Sequence, residues 1–379
     1  MKLVATRIIP VSTASANYQI LIGSGLLENM HDRLTRLMGS AAYRPFVISS
    51  APIWKRWSEP FLRSFPSAAP PPVLLLPPGE KNKRLAQVER LAEQLARAGA
   101  DRDALLIALG GGVVGDVTGF LAAIYMRGIS YVQVPTTLLA QVDSSVGGKT
   151  GVNLLAGKNL IGSFLQPRAV FADVHLLSTL PSRELRAGLQ ESIKAGIIAD
   201  AKLFSYMEAN KALALAGDPA VLTRIITQSI AVKAAVVQQD EFESGPRMVL
   251  NFGHTLGHAI EAATGYGKLL HGEAIGWGMI AALHLGLARQ TITGEEFARM
   301  ANLILAYGPL PKFRADARQL VRLSARDKKN RSGKRAFVLP FSVGGTRVVF
   351  DVTPAELLDA AQSMLATMRT VTARGEGAQ

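Results

Sequence analysis

Three of the six histidines, His254, His258 and His271, fall in one short stretch of the chain. His254 and His258 are four residues apart, so on a helix their imidazoles lie on the same face. Because the chain has no cysteine, any metal must be held by imidazole and carboxylate groups. The cluster therefore indicates zinc or a similar divalent cation, provided that a carboxylate completes the ligand set.

The alternative interpretation of any histidine is a core residue whose ring nitrogens are hydrogen-bonded. We apply it to His31, His175 and His284, which are isolated in the sequence. For the cluster the metal interpretation is favoured, because grouped metal-ligating residues are a stronger signal than a lone one. Spacing alone leaves open whether His258 binds metal or contacts a substrate.

A glycine-rich segment follows a run that is typical of a buried strand. The apolar run Ala104–Leu109 leads into Gly110–Asp116, which contains Gly-x-Gly-x-x-Gly ahead of a predicted helix. Glycines at such a turn let backbone N–H groups approach a pyrophosphate at the helix N-terminus. The acid that a standard dinucleotide fold carries about 20 residues later is absent from Tyr131–Pro135. The segment is therefore either a variant dinucleotide loop or a plain strand–helix turn.

A second glycine pair lies in Asp143–Thr150, where Gly-Lys-Thr suggests a P-loop. That motif requires glycine at the position of Asp143, so the match fails. The segment still offers backbone donors, hydroxyls and Lys149, and Lys158 and Asn159 follow closely. Such groups suit an anionic, polyhydroxylated ligand.

Composition narrows the class of protein. The 379 residues are 48% hydrophobic, and the absence of cysteine excludes disulfides and fits a reducing cytosol. No export signal is seen at the N-terminus, and the apolar stretch Ile275–Ala288 is shorter than a membrane span and predicts a buried helix.

A net charge of +13, densest in Arg326–Arg335, raises nucleic acid, a membrane surface or an anionic substrate as partners. No nucleic-acid-binding motif accompanies it.

Hydrophobic periodicity predicts an α/β fold with two domains. Strands alternate with helical patterns in the first half, which indicates a mainly parallel, Rossmann-like sheet. We place a nucleotide-binding domain at 1–181 and a mainly helical metal- and substrate-binding domain at 182–379. The predicted strands are Pro45–Ser49, Val73–Leu76, Ala104–Leu109 and Tyr131–Val134, with a strand pair near Phe337–Leu339 and Thr346–Phe350. The predicted helices are Arg84–Ala98, Arg183–Ile198, Pro219–Val237, His254–Ala263, Glu273–Ala288 and Pro354–Met368.

Several long motifs occur together and in order. They are GGGVVGD, MRG, QVPTTLLAQVDSSVGGKTGVN, GKNLIGSF, NFGHTLGHAIE, LHGEA and RDKK. From Pro78 to Lys329 the chain resembles the 3-dehydroquinate synthase family of sugar phosphate cyclases. The resemblance implies an α/β NAD-binding domain, an all-α C-terminal domain, bound NAD, one divalent metal (zinc or cobalt), and a cytoplasmic homodimer that binds neither nucleic acid nor membrane.

The resemblance also implies roles for individual residues. The metal ligands it implies are Glu191, His254 and His271. The residues implied in substrate binding and catalysis are Asp143, Lys149, Asn159, Lys194, Lys233, Asn251, His258 and Lys328, with Arg127 for the phosphate and Arg247 contributed across the dimer. The cofactor contacts implied are Glu80, Lys83, Gly111, Gly112, Asp116, Thr136, Thr137, Asp143 and Lys158.

The chain departs from the family pattern at two places. Val47–Ala51 lacks the acid that usually follows the early strand and binds the adenosine ribose. Gln190–Gly196 reads Gln-Glu-Ser-Ile-Lys-Ala-Gly where the family commonly has Ala-Glu-Val-Ile-Lys-Tyr-Gly. The metal carboxylate and the lysine survive, and their packing is expected to differ.

The implied reaction converts 3-deoxy-D-arabino-heptulosonate 7-phosphate to 3-dehydroquinate and phosphate. It proceeds by transient oxidation with NAD, phosphate elimination, reduction and intramolecular aldol closure, with His258 as a candidate proton shuttle. Three alternatives stay open. They are another sugar phosphate cyclase (amino-dehydroquinate, valiolone-type or deoxy-inosose synthase), a metal-dependent polyol or glycerol-phosphate dehydrogenase, and a nucleic-acid binder that uses the basic surface.

Overall fold

The structure is a computed structural model that describes residues 6–40, 42–325 and 336–376, with side chains described as far as residue 371. The strands are β1 Arg7–Ser12, β2 Asn17–Gly23, β3 Arg44–Ser49, β4 Val73–Leu75, β5 Ala104–Gly110, β6 Ser130–Pro135, β7 Lys149–Leu154, β8 Gly157–Phe164, β9 Ala169–Asp173, β10 Phe337–Ser342 and β11 Gly345–Val349. The helices are α1 Met30–Met38, α2 Ala51–Leu62, α3 Leu85–Arg97, α4 Gly112–Ile124, α5 Ser182–Ala199, α6 Ala201–Ala209, α7 Lys211–Leu215, α8 Pro219–Gln239, α9 His254–Thr264, α10 His271–Ala288, α11 Gly294–Ala306, α12 Ala317–Ser324 and α13 Pro354–Glu376.

The chain forms two compact units, and one of them is discontinuous. The first comprises Met1–Pro181 with Gly217–Phe242, and the second comprises Ser182–Ala216 with Glu243–Gln379. The sequence placed all of 182–379 in the second domain, whereas α8 belongs to the first unit. The physical reason is that α8 packs on β1 and β2, and Ser12 N donates to Gln238 Oε1 at 2.9 Å.

A seven-stranded sheet organises the first unit, in the order β1-β2-β9-β6-β5-β3-β4. All neighbouring pairs are parallel except β1 with β2, so the prediction of a mainly parallel sheet is confirmed. Every residue of β5 is buried, and its side chains alternate between two cores. Leu106 faces a core with residues of α3 and α4, and Leu105 faces a core with residues of α1 and α2. Helices therefore cover both faces, as parallel sheets require.

A β-hairpin formed by β7 and β8 accompanies this sheet in the first unit. The sequence did not predict it, because its strands are rich in glycine and polar residues. Lys149 opens β7, and Lys158 and Asn159 lie at the start of β8. The hairpin thus carries three of the predicted ligand-binding side chains.

Helix α10 is the centre of the second unit and contacts α5, α9, α11, α13 and β10. Its sequence is apolar on all sides, and most of its residues are buried, as expected of a core helix. The predicted buried helix at Ile275–Ala288 is therefore confirmed. The predicted strand pair is the antiparallel hairpin β10–β11.

Among the helices in the described ranges, α8 alone is long and apolar enough to cross a membrane. Half of its most apolar window is buried inside the structure. Its Lys233 also forms an ion pair with Asp143 of the same unit. These contacts are those of a packed core helix.

Candidate active site and metal centre

Three metal-ligating side chains converge in the second unit. Glu191 lies on α5, His254 begins α9 and His271 begins α10. Glu191 Oε1 is 3.9 Å from His254 Nε2 and 3.7 Å from His271 Nε2. Ligand atoms held at about 2.1 Å from one tetrahedral ion lie roughly 3.4 Å apart, so a small contraction would let these three share an ion.

The burial of Glu191 gives a physical test of whether the residues fit a cation. Its side chain is 2% exposed, Oε2 forms an ion pair with Lys194, and Oε1 has no hydrogen-bond partner among the described residues. A buried carboxylate oxygen without a partner is costly, and a bound cation would satisfy it. The side chains of His254 and His271 are 12% and 26% exposed, which leaves one side open for further ligands.

The other ring nitrogens of the two histidines also have acceptors nearby. His254 Nδ1 lies 3.1 Å from the carbonyl oxygen of Phe252. His271 Nδ1 lies 3.4 Å from Glu261 Oε2. Sequence reasoning missed Glu261, although it stands in the NFGHTLGHAIE motif seven residues after His254, on the same face of α9.

His258 lies beside the metal cluster, one helical turn after His254. The ring centroids of His254 and His258 are 5.3 Å apart, and those of His258 and His271 are 6.0 Å apart. The prediction that His254 and His258 share a helix face is confirmed. Ligand atoms of His258, Glu261 and His271 also lie within 4.8 Å of one another, so His258 borders the cluster without joining the Glu191 set.

Glycine brings the helices close enough to form the cluster. A Cβ atom on Gly272 would stand 1.9 Å from the carbonyl oxygen of Ala187 on α5. Only hydrogen fits there, so the first turn of α10 rests directly on α5, one turn before Glu191. This contact places His271 next to the carboxylate.

The glycine-rich loop of the first unit joins β5 to α4, as predicted. Thr136 N donates to the Gly110 carbonyl at 3.0 Å, which brings Thr136 and Thr137 beside Gly111 and Gly112. A Cβ on Gly115 would stand 2.6 Å from Gln133 Oε1, so α4 passes close to the Gln133 side chain of β6 here. The backbone N–H groups at this helix N-terminus suit a pyrophosphate.

A polar network links four predicted residues of the first unit. Lys83 forms an ion pair with Asp116 and donates to Asn159 Oδ1 at 2.5 Å. Asn153 joins the network, donating to Glu80 Oε1 at 2.7 Å and accepting from Asn159 N at 2.9 Å. Sequence reasoning missed Asn153, although it ends the GGKTGVN motif. Burial raises the pKa of the Asp116 carboxyl, and the Lys83 charge opposes that rise.

Asp143 and Lys233 form a second pair in the same unit. Lys233 Nζ lies 2.5 Å from Asp143 Oδ1 and 2.5 Å from its carbonyl oxygen. Asp143 stands in the π-helical turn Ala140–Ser144, a local distortion that is frequent at functional sites. The structure therefore brings together two residues that the motifs predicted separately.

The MRG motif adopts an unusual backbone. Met126 has φ of +48° and Arg127 has φ of +68°, and Gly128 follows at +126°. Left-handed conformations cost roughly 1–2 kcal/mol for each residue other than glycine. Strain of this kind is concentrated at functional sites, so it supports a role for the exposed Arg127.

The three remaining predicted residues are Arg247, Asn251 and Lys328. Arg247 is buried within its own chain, with 2% of its surface exposed. A role across a dimer would require it to turn outward. Asn251 Nδ2 donates to Glu243 Oε1 at 2.9 Å. Lys328 lies outside the described residues, as does the basic segment 326–335.

The three isolated histidines are packed as structural residues. His284 Nε2 lies 2.9 Å from Thr367 Oγ1, and burial lowers the pKa of its imidazole. The rings of His31 and His175 pack on Phe65 and Trp57, with centroids 5.3 Å and 5.4 Å apart. His31 Nδ1 is buried without a hydrogen-bond partner among the described residues, so the expected hydrogen bonding is not found at this nitrogen.

Comparison with known proteins decides the family. Residues 73–187 match the model of the 3-dehydroquinate synthase N-terminal domain, and residues 188–330 match that of its C-terminal domain. The chain belongs to the 3-dehydroquinate synthase family. It is 45% identical to the 3-dehydroquinate synthase of Koribacter versatilis, over 94% of this chain and 97% of that protein. The family assignment made from the motifs is confirmed.

Solved structures of two sugar phosphate cyclases share the fold. A 2-deoxy-scyllo-inosose synthase, complexed with carbaglucose-6-phosphate, NAD+ and Co2+, has a TM-score of 0.83 at 28% identity, covering 94% of this chain and 99% of that one. The 2-epi-5-epi-valiolone synthase of Streptomyces hygroscopicus, with NAD+ and Zn2+ bound, has a TM-score of 0.84 at 26% identity and the same coverages. The predicted fold class, a Rossmann-like domain with a helical C-terminal domain, is thereby confirmed. The second unit is not all-α, because it contains the β10–β11 hairpin.

Proposed function

We propose that this chain is an NAD- and divalent-metal-dependent lyase that forms 3-dehydroquinate and phosphate from 3-deoxy-D-arabino-heptulosonate 7-phosphate. The observation that carries the proposal is the Glu191–His254–His271 cluster, found in a chain 45% identical to a 3-dehydroquinate synthase. The related inosose and valiolone synthases are less similar, at 28% and 26% identity, which favours the dehydroquinate activity.

Glu191, His254 and His271 would hold one zinc or cobalt ion through Oε1 and the two Nε2 atoms. When bound, NAD exchanges a hydride with the substrate, while the cation polarises the oxygen at the reacting carbon. Lys194 holds Glu191 Oε2 through an ion pair, so the carboxylate presents Oε1 to the cation in a fixed orientation. Three protein ligands leave positions for oxygens of the substrate.

NAD would be held in the first unit. Gly111 and Gly112 offer backbone donors to the pyrophosphate, and Thr136 has a buried hydroxyl oxygen without a partner among the described residues. The remaining proposed contacts are Glu80, Lys83, Asp116, Thr137, Asp143 and Lys158. Because Lys83 bonds both Asp116 and Asn159, it connects the proposed cofactor contacts to a proposed substrate contact.

The substrate is doubly anionic, with a carboxylate and a phosphate, and lysine and arginine side chains suit both groups. We assign Arg127 and Lys149 to these anions, with Lys194 sharing its ammonium between substrate and Glu191. Asp143, Asn159 and Asn251 suit the hydroxyls, and Lys233 orients Asp143. His258 borders the metal cluster, and its imidazole can both accept and donate a proton there.

We further propose that the enzyme works in the cytoplasm as a homodimer. A chain without cysteine fits a reducing compartment. Sedimentation equilibrium of the purified protein tests the dimer, and a mass of one chain at micromolar concentration contradicts it.

The test of the proposed function is an assay of released phosphate with two substrates. We expect purified enzyme with NAD and Zn2+ or Co2+ to turn over the heptulosonate phosphate and to leave sedoheptulose 7-phosphate unchanged. Turnover of sedoheptulose 7-phosphate alone would reassign the chain to a valiolone-type cyclase. Accumulation of NADH in step with product would instead indicate a polyol or glycerol-phosphate dehydrogenase, because the cyclase returns its hydride in each turnover.

A further inference from the structure

We propose that Glu261 is a positioning residue for the metal ligand His271. Its carboxylate accepts the Nδ1–H of the imidazole and so presents the unprotonated Nε2 to the cation. The proposal rests on the metal site of the proposed function, and it adds a residue to which that function assigned no role.

The two nitrogens of the His271 ring face two different carboxylates. Nδ1 lies 3.4 Å from Glu261 Oε2, and Nε2 lies 3.7 Å from Glu191 Oε1. A neutral imidazole carries one proton, and an ionised carboxylate only accepts hydrogen bonds. Because the metal needs the lone pair on Nε2, the proton must stand on Nδ1, which donates a hydrogen bond to Glu261 Oε2.

His254 shows the same arrangement with a different acceptor. Its Nδ1 lies 3.1 Å from the Phe252 carbonyl, and its Nε2 points to the same Glu191 oxygen. A backbone carbonyl therefore fixes one imidazole, and Glu261 fixes the other. Metal-ligating histidines commonly have such an acceptor on the second nitrogen, and it sets both the tautomer and the ring orientation.

The position of Glu261 is rigid. Its side chain is 6% exposed and lies two turns after His254 on the same face of α9. Because His271 begins α10, the contact between Glu261 and His271 links α9 to α10 beside the metal ligands. A mobile surface carboxylate would not hold the ring in one orientation, whereas a buried one does.

Zn2+ affinity measured by competition with a chromophoric chelator gives the first readout. We expect Glu261→Ala to bind Zn2+ about 10- to 100-fold more weakly. The Zn2+ affinity of Glu261→Gln should lie between those of the unaltered protein and Glu261→Ala, because its amide oxygen accepts the same hydrogen bond without the charge. Glu208→Gln is the control, since it removes a carboxylate that pairs with Arg299 on the same unit and should leave the affinity unchanged.

The tautomer of His271 in the metal-free protein gives the second readout. In long-range 1H–15N spectra of protein labelled at its six histidines, with assignment by His271→Gln, we expect the Nδ1–H form. Glu261→Ala should gain the Nε2–H form, and Glu261→Gln should gain it to a smaller extent, because a neutral amide oxygen accepts the Nδ1–H bond less strongly than a carboxylate. A purely structural role would produce neither change. Zn2+ affinity equal to that of the unaltered protein in both variants, or an Nε2–H form in the unaltered protein, overturns the proposal.

These outcomes are separable from failure of the proposed function. An unaltered protein that binds no divalent cation and releases no phosphate refutes the function itself. An unaltered protein that binds Zn2+ and forms dehydroquinate, with unchanged affinity in the variants, refutes the role of Glu261 alone. If Glu261→Ala does not fold, the isosteric Glu261→Gln carries both readouts.

Discussion

Gly278 on α10 lies directly against the carbonyl oxygen of Gly253: a Cβ at position 278 would stand 1.9 Å from that oxygen. Gly253 itself has φ of +77°, and a Cβ there would stand 2.8 Å from the backbone nitrogen of Met279. The start of α9 therefore rests on α10 at a distance that only glycine permits. Because His254 follows Gly253, this contact sets the position of one metal ligand.

We predict that Gly278→Ala weakens binding of Zn2+ at least tenfold. The added methyl must push α9 away by more than about 1 Å, whereas metal ligands must be held within about 0.5 Å of their working positions. Chelator competition measures the affinity, and circular dichroism checks the fold. Gly294→Ala is the matched control, because a Cβ there meets nothing within 4 Å. Unchanged affinity in Gly278→Ala would show that the close approach does not set the ligand geometry.

His271→Ala should abolish both metal content and dehydroquinate formation while the protein stays folded. The side chain is 26% exposed, so its loss leaves a small cavity at most. Metal analysis of the dialysed protein and the phosphate-release assay are measured together. His284→Ala on the same helix is the control and should retain its metal, because His284 contacts Thr367 instead. Full activity of His271→Ala with a full complement of metal would remove His271 from the ligand set.

Lys194→Met should destabilise the metal-free protein more than the metal-loaded protein. The side chains of Lys194 and Glu191 are 4% and 2% exposed, and breaking such a buried pair costs about 3–5 kcal/mol. A cation bound to Glu191 would offset much of that loss. Urea unfolding with EDTA and with excess Zn2+ measures the two free energies of unfolding.

The control for that experiment is Arg299→Met, which breaks a partly exposed pair with Glu208. This substitution should lower the free energy of unfolding by less than about 1 kcal/mol, and by the same amount with EDTA and with Zn2+. An equal loss for Lys194→Met with and without Zn2+ would indicate that Glu191 does not bind the cation.

Removing the carboxylate at Glu356 should destabilise the protein near neutral pH and have little effect in acid. Hydrogen bonds from Arg289, and then from the Thr353 backbone N–H, hold the pKa of Glu356 at about 2, below its ordinary 4.5. A lowered pKa stabilises the folded state above pH 4.5 and loses that stabilisation as the pH falls towards 2. The difference in Tm between the unaltered protein and Glu356→Gln should therefore shrink between pH 6 and pH 3. A difference that stays constant over this range would contradict the assignment.

Local sequence patterns were sufficient to predict the elements that their own periodicity determines. The buried run of β5 and the all-apolar α10 were both found, with boundary errors of one residue and two residues. The assignment of α8 to the first unit was not predictable in this way. It depends on contacts with β1 and β2, which lie about 200 residues earlier in the chain.

The residues of the metal cluster were likewise only partly predictable from local sequence. The histidines were visible from their spacing, whereas Glu191 stands 63 residues before His254 and was implied only by the family resemblance. The close approaches at Gly272 and Gly278 were not predicted, because a glycine in an apolar helix gives no local sign of what packs against it. Glu261 could have been found, since its spacing from His254 places both on one helix face.

Anomalous diffraction from crystals of the Zn2+-loaded protein, recorded on both sides of the zinc edge, tests the central claim most directly. We predict one strong zinc peak at about 2.0–2.2 Å from Glu191 Oε1, His254 Nε2 and His271 Nε2, with His258 outside the coordination shell. A zinc ion bound elsewhere, or one that His258 ligates in place of His254 or His271, would contradict the account.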